Sequence, residues 1–232
     1  MARIWDEKFE GAGYEETWSP GEILGAGCTL DEDYACSSIG SPSTWDSQCL
    51  QCVVDTAGDA NYVRHNFGSD IPIAYYRVEF IVHSLTLASY ADMNILRVVD
   101  SGFGSLFAVT IYNDATNNRL CFYRSLDAPE THHTGAILTL DQKYRVEVKW
   151  DNTNDAWEWK VDGSSQHSGS FTGDNSSRNI YLGSTSRVNE TYIDNFAIDD
   201  SGWVGAEAAG GGVGAIKRFG GVPHVAVNRG VW

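Results

Sequence analysis

The segment Lys143-Tyr-Arg-Val-Glu-Val-Lys-Trp-Asp151, then Asn152-Thr-Asn-Asp155, then Ala156-Trp-Glu-Trp-Lys-Val-Asp162, decides the fold. In its first part Tyr144, Val146, Val148 and Trp150 alternate with Arg145, Glu147, Lys149 and Asp151. In its last part Trp157, Trp159 and Val161 alternate with Glu158, Lys160 and Asp162. A period of two marks a strand with one face buried. The Asn and Asp residues between the two runs are turn formers, so the pair predicts a β-hairpin. Trp150, Trp157 and Trp159 share the apolar parity and are expected between two sheets, where Trp→Ala would cost about 3–5 kcal/mol. Glu147, between Arg145 and Lys149, reads as part of a solvated face with Glu158 and Lys160 across the hairpin.

Outward from this hairpin, further strands are expected at 76–85, 96–100, 106–112, 119–124, 179–182 and 191–198, separated by clusters of Gly, Asn, Asp and Ser. No stretch carries a helical stripe. The 12% aromatic share and 24 glycines among 232 residues suit strands and turns. These features predict an all-β antiparallel sandwich or barrel across residues 1–205. Residues 206–215 contain Gly210-Gly-Gly212 and read as a hinge. Residues 216–232 hold three of the 16 basic residues and none of the 31 acidic ones. Lys217, Arg218, Phe219, Val222, Val225, Val227, Arg229 and Trp232 give this tail charge, apolar area and a Trp anchor, so an assembly tail is expected.

A formal charge of −15 argues against a nucleic-acid partner, which needs a basic footprint. No run approaches the length that spans a bilayer, so no membrane insertion is expected. No leader is visible at the start of the chain, which predicts synthesis in a cytoplasm without a signal peptide. The five cysteines, Cys28, Cys36, Cys49, Cys52 and Cys121, leave an odd thiol. Their spacing fits no common zinc module, and Cys49 and Cys52 lie on a strand-like run where residues three apart face opposite sides. Reduced thiols, one or two disulfides and a metal site all remain open at this point.

The hairpin from Tyr144 to Gly163 resembles the paired strands of concanavalin A-like, laminin G-like jelly rolls. The run Tyr192-Ile-Asp-Asn-Phe-Ala-Ile-Asp-Asp-Ser-Gly-Trp203 is similar to the last strand of those domains, and Asp6-Glu-Lys-Phe-Glu-Gly11 to their first. The resemblance implies a two-sheet jelly roll, with an extended C-terminal tail following it here. The closing Arg218-Phe-Gly-Gly-Val-Pro … Asn228-Arg-Gly-Val-Trp232 resembles tails on structural proteins of tailed bacteriophages.

Glycoside hydrolases of this fold place two Glu and an Asp at alternating positions of one strand, and no strand here supplies that arrangement. Gly-x-Ser-x-Gly, His-Glu-x-x-His and P-loop patterns are also missing. The chain is therefore expected not to be an enzyme. His132-His133 reads as an exposed loop. Calcium is the one cofactor with candidate ligands, because Asp151, Asn152, Asn154 and Asp155 offer oxygen donors in one turn; Asx turn formation is the other reading. A sugar would need an exposed ring to stack on, and Trp45, Tyr62, Tyr90 and Trp203 lie near loops. The leading expectation is a non-catalytic virion component that assembles with copies of itself or other virion proteins. The alternative is a carbohydrate-binding module that takes cell-surface glycans, and the third is a glycan-active hydrolase with a site not legible in the sequence.

Overall fold

The computed structural model describes residues 3–7, 28–35, 45, 48–57, 60–124, 131–172, 176–185 and 187–205. The hinge and the assembly tail expected after residue 205 lie outside them. The described chain forms fourteen strands: β1 (Arg3–Glu7), β2 (Cys28–Ala35), β3 (Gln48–Val54), β4 (Ala60–Ile71), β5 (Ile73–Thr86), β6 (Asp92–Val99), β7 (Ser105–Asn113), β8 (Asn118–Arg124), β9 (Thr131–Ile137), β10 (Lys143–Asp151), β11 (Ala156–Val161), β12 (Ser164–Ser170), β13 (Ser177–Thr185) and β14 (Val188–Asp199). Every pairing among them is antiparallel.

Two sheets result. An eight-stranded sheet runs β12-β11-β10-β5-β14-β3-β2, with β1 also paired to β14; a six-stranded sheet runs β4-β13-β6-β7-β8-β9. This is a two-sheet antiparallel jelly-roll sandwich. The deciding hairpin is β10–β11, with Val148 opposite Trp159 and Trp150 opposite Trp157. Its turn is held by the Asp151 carboxylate, whose Oδ1 accepts from the Thr153 and Asn154 amides at 3.2 and 3.0 Å. Asp155 takes the left-handed φ of 51° that closes the turn, a conformation Asp tolerates better than most residues.

All three tryptophans are buried between the sheets. Trp150 stacks on Phe171 at 4.2 Å between ring centres, and Trp157 stacks on Phe122 of β8 at 4.7 Å. Trp150 also meets Phe107 of β7 at 5.3 Å. These rings join the two sheets, and their large apolar areas make them the chief single contributors to the core. Among the described cysteine side chains, those of Cys49, Cys52 and Cys121 are fully buried. Cys52 faces the main core, whereas Cys49 packs on the opposite side of its strand with Trp45, Ile81 and Tyr192.

The outer face of the eight-stranded sheet departs from expectation. Glu147 is buried, not solvated, because the segment after β14 folds across it. The Gly205 amide donates to Glu147 Oε1 at 2.8 Å, and Arg77 Nη1 donates to the Gly205 carbonyl at 3.2 Å. Glu79 accepts from Trp45 Nε1 at 3.0 Å, Lys143 Nζ at 3.1 Å and Asn195 Nδ2 at 3.2 Å. A buried charge is tolerated when it is paired and hydrogen-bonded in this way. Trp45 and Trp203, expected as exposed platforms, pack on the same face. Trp203 lies under Lys160, whose Nζ is 3.6 Å from the ring centre, and meets Tyr75 edge-on.

Candidate functional site

Among the described residues, the outer face of the six-stranded sheet is the open one. Its geometry starts from a β-bulge. Asn94 and Arg97 are three residues apart and would face opposite sides of a regular strand. The register of β6 against β7 shifts between Asn94 and Leu96, and both Ile95 and Leu96 are buried. One extra residue is absorbed there, so Asn94 and Arg97 emerge on the same outer face.

Arg97 then sits in a transverse row. Tyr181 of β13 is opposite both Arg64 of β4 and Arg97 of β6. Arg97 is opposite Ala108 of β7, Ala108 is opposite Tyr123 of β8, and Tyr123 is opposite His132 of β9. Six strands spaced about 4.8 Å apart make this row about 24 Å long. Small Ala108 in its middle leaves a dip between taller side chains. A cavity of about 510 Å³ is lined by Tyr90, Asp92, Asn94, Arg97, Ser105, Ala108, Tyr123 and His132. A second of about 180 Å³ is lined by Tyr62, Asn94, Arg97, Phe103, Tyr181 and Gly183. The two share Asn94 and Arg97, so together they form one groove.

Gly183 is required where the groove passes over β13. Its φ is +123°, and a Cβ would stand 2.4 Å from the Asn61 carbonyl oxygen and 2.8 Å from Tyr62 Cα. At the centre, Arg97 Nε donates to Ser105 Oγ at 3.3 Å, and the guanidinium lies 5.8 Å from the Tyr181 ring centre. Among the described residues Arg97 has no carboxylate partner, although acidic residues outnumber basic ones by 31 to 16. A guanidinium is shaped to grip a carboxylate with two parallel hydrogen bonds.

His132 corrects the exposed-loop expectation. It and His133 lie on β9 and face opposite sides. His132 stacks on Tyr112 at 4.2 Å and meets Tyr123 at 5.2 Å. Its Nε2 is 3.8 Å from Asp92 Oδ2, too long for a hydrogen bond, and that buried nitrogen has no hydrogen-bond partner. His133 instead packs on Trp157 at 4.7 Å, and burial, followed by the nearby His167, Arg124 and His132, pushes its pKa down. Beneath the groove face, burial pushes the Cys121 thiol up to about 12.

The four calcium candidates do come together in the β10–β11 turn. Asp151 Oδ2, however, accepts from Asn154 Nδ2 at 3.0 Å and lies 3.1 Å from Lys149 Nζ, while Asn152 Nδ2 donates to Ser176 Oγ at 3.3 Å. The turn uses its own oxygens for closure. Among the described residues no three His, Cys, Asp or Glu side chains converge as metal ligands. Of the four rings proposed as sugar platforms, Tyr62 and Tyr90 line the groove. Arg97, Asn94, Tyr123, His132, Phe103 and Tyr181 were missed. The bulge hides the first two, and the others meet only through strand pairing.

No family model and no curated protein matches the chain. In three dimensions it is similar to the cellulose induced protein Cip1, with a TM-score of 0.64, 14% identity and coverage of 87% of this chain and 99% of that one. The globular domain of T. cruzi calreticulin matches with a TM-score of 0.59 and 8% identity, over 86% and 88% of the two chains. The marine alginate lyase AlyA1 from Zobellia galactanivorans matches at 0.54 and 12% identity, over 79% and 94%. Alginate lyase AlyC3, solved with dimannuronate, also matches at 0.54 and 12%, over 66% and 74%. These similarities show the jelly-roll fold. They also overturn the expectation that the chain is not an enzyme. That expectation rested on a missing carboxylate pair, and alginate lyases are built on this same sandwich.

Proposed function

We propose that the groove over the six-stranded sheet binds a polysaccharide whose sugars carry carboxylates, and that the chain cleaves it by β-elimination. The observation that carries this reading is Arg97: a cation without a carboxylate partner among the described residues, at the centre of a groove in an acidic protein, between Tyr181 and the Tyr123–His132 pair. Arg97 and Asn94 would hold the sugar carboxylate and offset the charge that develops when the neighbouring C–H proton leaves. Tyr123 and His132 are the groups able to take that proton and to return one to the glycosidic oxygen. The C–O bond to that oxygen breaks with its electron pair, and a C=C bond forms in the remaining sugar. The reaction consumes no oxidant, reductant or water.

The similarity to alginate lyases and other glycan-related jelly rolls supports this reading. The virion reading rests on a tail outside the described residues and has no comparable support. Incubation with polymannuronate and with polygalacturonate tests the proposal. Ultraviolet absorbance of the new conjugated double bond should rise with wild-type protein, and Arg97→Ala should lower that rate by at least about 100-fold, the scale of losing one charge-stabilising donor. Saturable binding without new absorbance would reduce the function to carbohydrate binding. No binding to either polymer would overturn it.

A further inference from the structure

Two exposed aromatic residues are held in backbone conformations that such residues avoid. Tyr90 has φ of 63° and is 71% exposed; Phe103 has φ of 65° and is 56% exposed. Asn or Gly is the ordinary occupant of such a position, and a bulky side chain there is an outlier. Local hydrogen bonds fix both turns. The Tyr90 amide donates to the Asn113 carbonyl at 2.8 Å, and Asn113 Nδ2 donates to Leu87 O at 3.2 Å. Around Phe103, Asp100 Oδ1 accepts from the Gly102 and Gly104 amides, both at 2.8 Å, and the Phe103 amide donates to Asp100 O at 3.2 Å. Neither ring gains burial in return for its strained backbone. Strain that the fold maintains without a packing benefit points to a ligand.

The placement says which ligand. The turns sit at opposite ends of β6, so roughly 25 Å of strand separates them. Phe103 lines the cavity on the β4–β13 side, and Tyr90 lines the cavity on the β7–β9 side. Between them lie Asn94 and Arg97. A protein partner would need a contiguous apolar patch, whereas these two exposed rings stand at opposite ends of β6 with Asn94 and Arg97 between them. A pyranose chain offers the complement: apolar C–H faces for the rings, and hydroxyl and carboxylate groups for the centre.

We infer that Tyr90 and Phe103 are stacking platforms for two different sugars of one chain, which crosses the groove diagonally over Arg97. The site therefore takes an internal stretch of several sugars, not a chain end or a disaccharide. This inference rests on the glycan reading above. Its test is calorimetric binding of oligomannuronates and oligogalacturonates of graded length to the full chain, with Tyr90→Asn and Phe103→Asn beside wild type. Wild-type affinity should climb with length until both platforms are covered and then level off. Each variant should lose about three- to ten-fold on the long ligands, the scale of one aromatic contact, and much less on the disaccharides. Both variants should melt at or above the wild-type temperature, because Asn suits the left-handed region. Variants that bind long ligands like wild type, or that melt markedly lower, would overturn the platforms while leaving the groove. Absence of wild-type binding at every length would overturn both readings.

Discussion

On the eight-stranded sheet, the outward positions of β5 and β10 carry Arg77, Glu79, Arg145 and Glu147; on the six-stranded sheet, β6 and β9 carry Asp92, Asn94, Arg97 and His132. The residue types are alike and their states are opposite. Arg77 is fully buried and donates to the carbonyls of Asn195 and Gly205. Arg97 is partly exposed at the floor of a groove and meets a serine and a tyrosine ring. The first face is sealed by the segment after β14 and by Trp45, and its charges serve the fold. No described segment covers the second, and Arg97 there meets no described carboxylate. A polar face is therefore identified as a site by what fails to cover it, and not by its composition.

The largest expected effect tests this contrast directly. Arg77→Ala should cost about 3–5 kcal/mol, because it empties a fully buried site and leaves the Asn195 and Gly205 carbonyls without their donor. Arg97→Ala should stay within about 0.5 kcal/mol, as a substitution on an open face does. Urea denaturation with an unchanged m-value measures both. Equal losses at the two arginines would break the distinction between the faces.

An intermediate effect belongs to His133, on the core side of β9. Burial lowers the pKa of His133, so the unfolded chain binds its proton more readily than the folded one. Stability from this group is intact at neutral pH and is lost as pH falls from about 6.5, the unfolded value, through the lower folded value. Melting temperatures from about pH 7.5 to about pH 5 should fall less steeply in His133→Gln than in wild type. A slope in His133→Gln as steep as that of wild type would overturn the burial of this ring against Trp157.

The fold was legible because the β10–β11 hairpin repeats its alternation without interruption and its turn is rich in Asn and Asp. The strands that escaped notice, β2, β4, β9 and β12, are all at sheet edges. β12 reads Ser-Ser-Gln-His-Ser-Gly-Ser and is almost wholly exposed, so only pairing with β11 makes it a strand. Edge strands are often polar, which blunts further pairing and also removes the sequence signal. The buried charges of β5 were illegible for a related reason: alternation says which residues share a face, but not that residues 201–205 return to cover one. The groove was the least legible. Its row joins six strands drawn from residues 64 to 181, and the bulge after Asn94 breaks the very period that would reveal it.

The smallest expected effect sharpens where the open face ends. Cys121 alternates with the core residues Leu120 and Phe122 and so belongs to the outer side of β8, opposite Thr110 and Thr134. It is nonetheless fully buried. The groove must therefore be open over Ala108 and Tyr123 but sealed one step along the strand. Two barriers then protect the thiol. A reagent cannot reach it without local opening, and burial keeps its pKa near 12, so little thiolate forms at neutral pH. Labelling of the native protein with a maleimide, followed by peptide mass mapping, should leave Cys121 unmodified over a time in which urea-unfolded chains react completely. Slow labelling that accelerates with urea would report local or global opening and fit the sealed floor. Rapid labelling in the native state, unaffected by urea, would mean that the outer face is open down to β8 at Cys121, and the groove would have to be redrawn across that position.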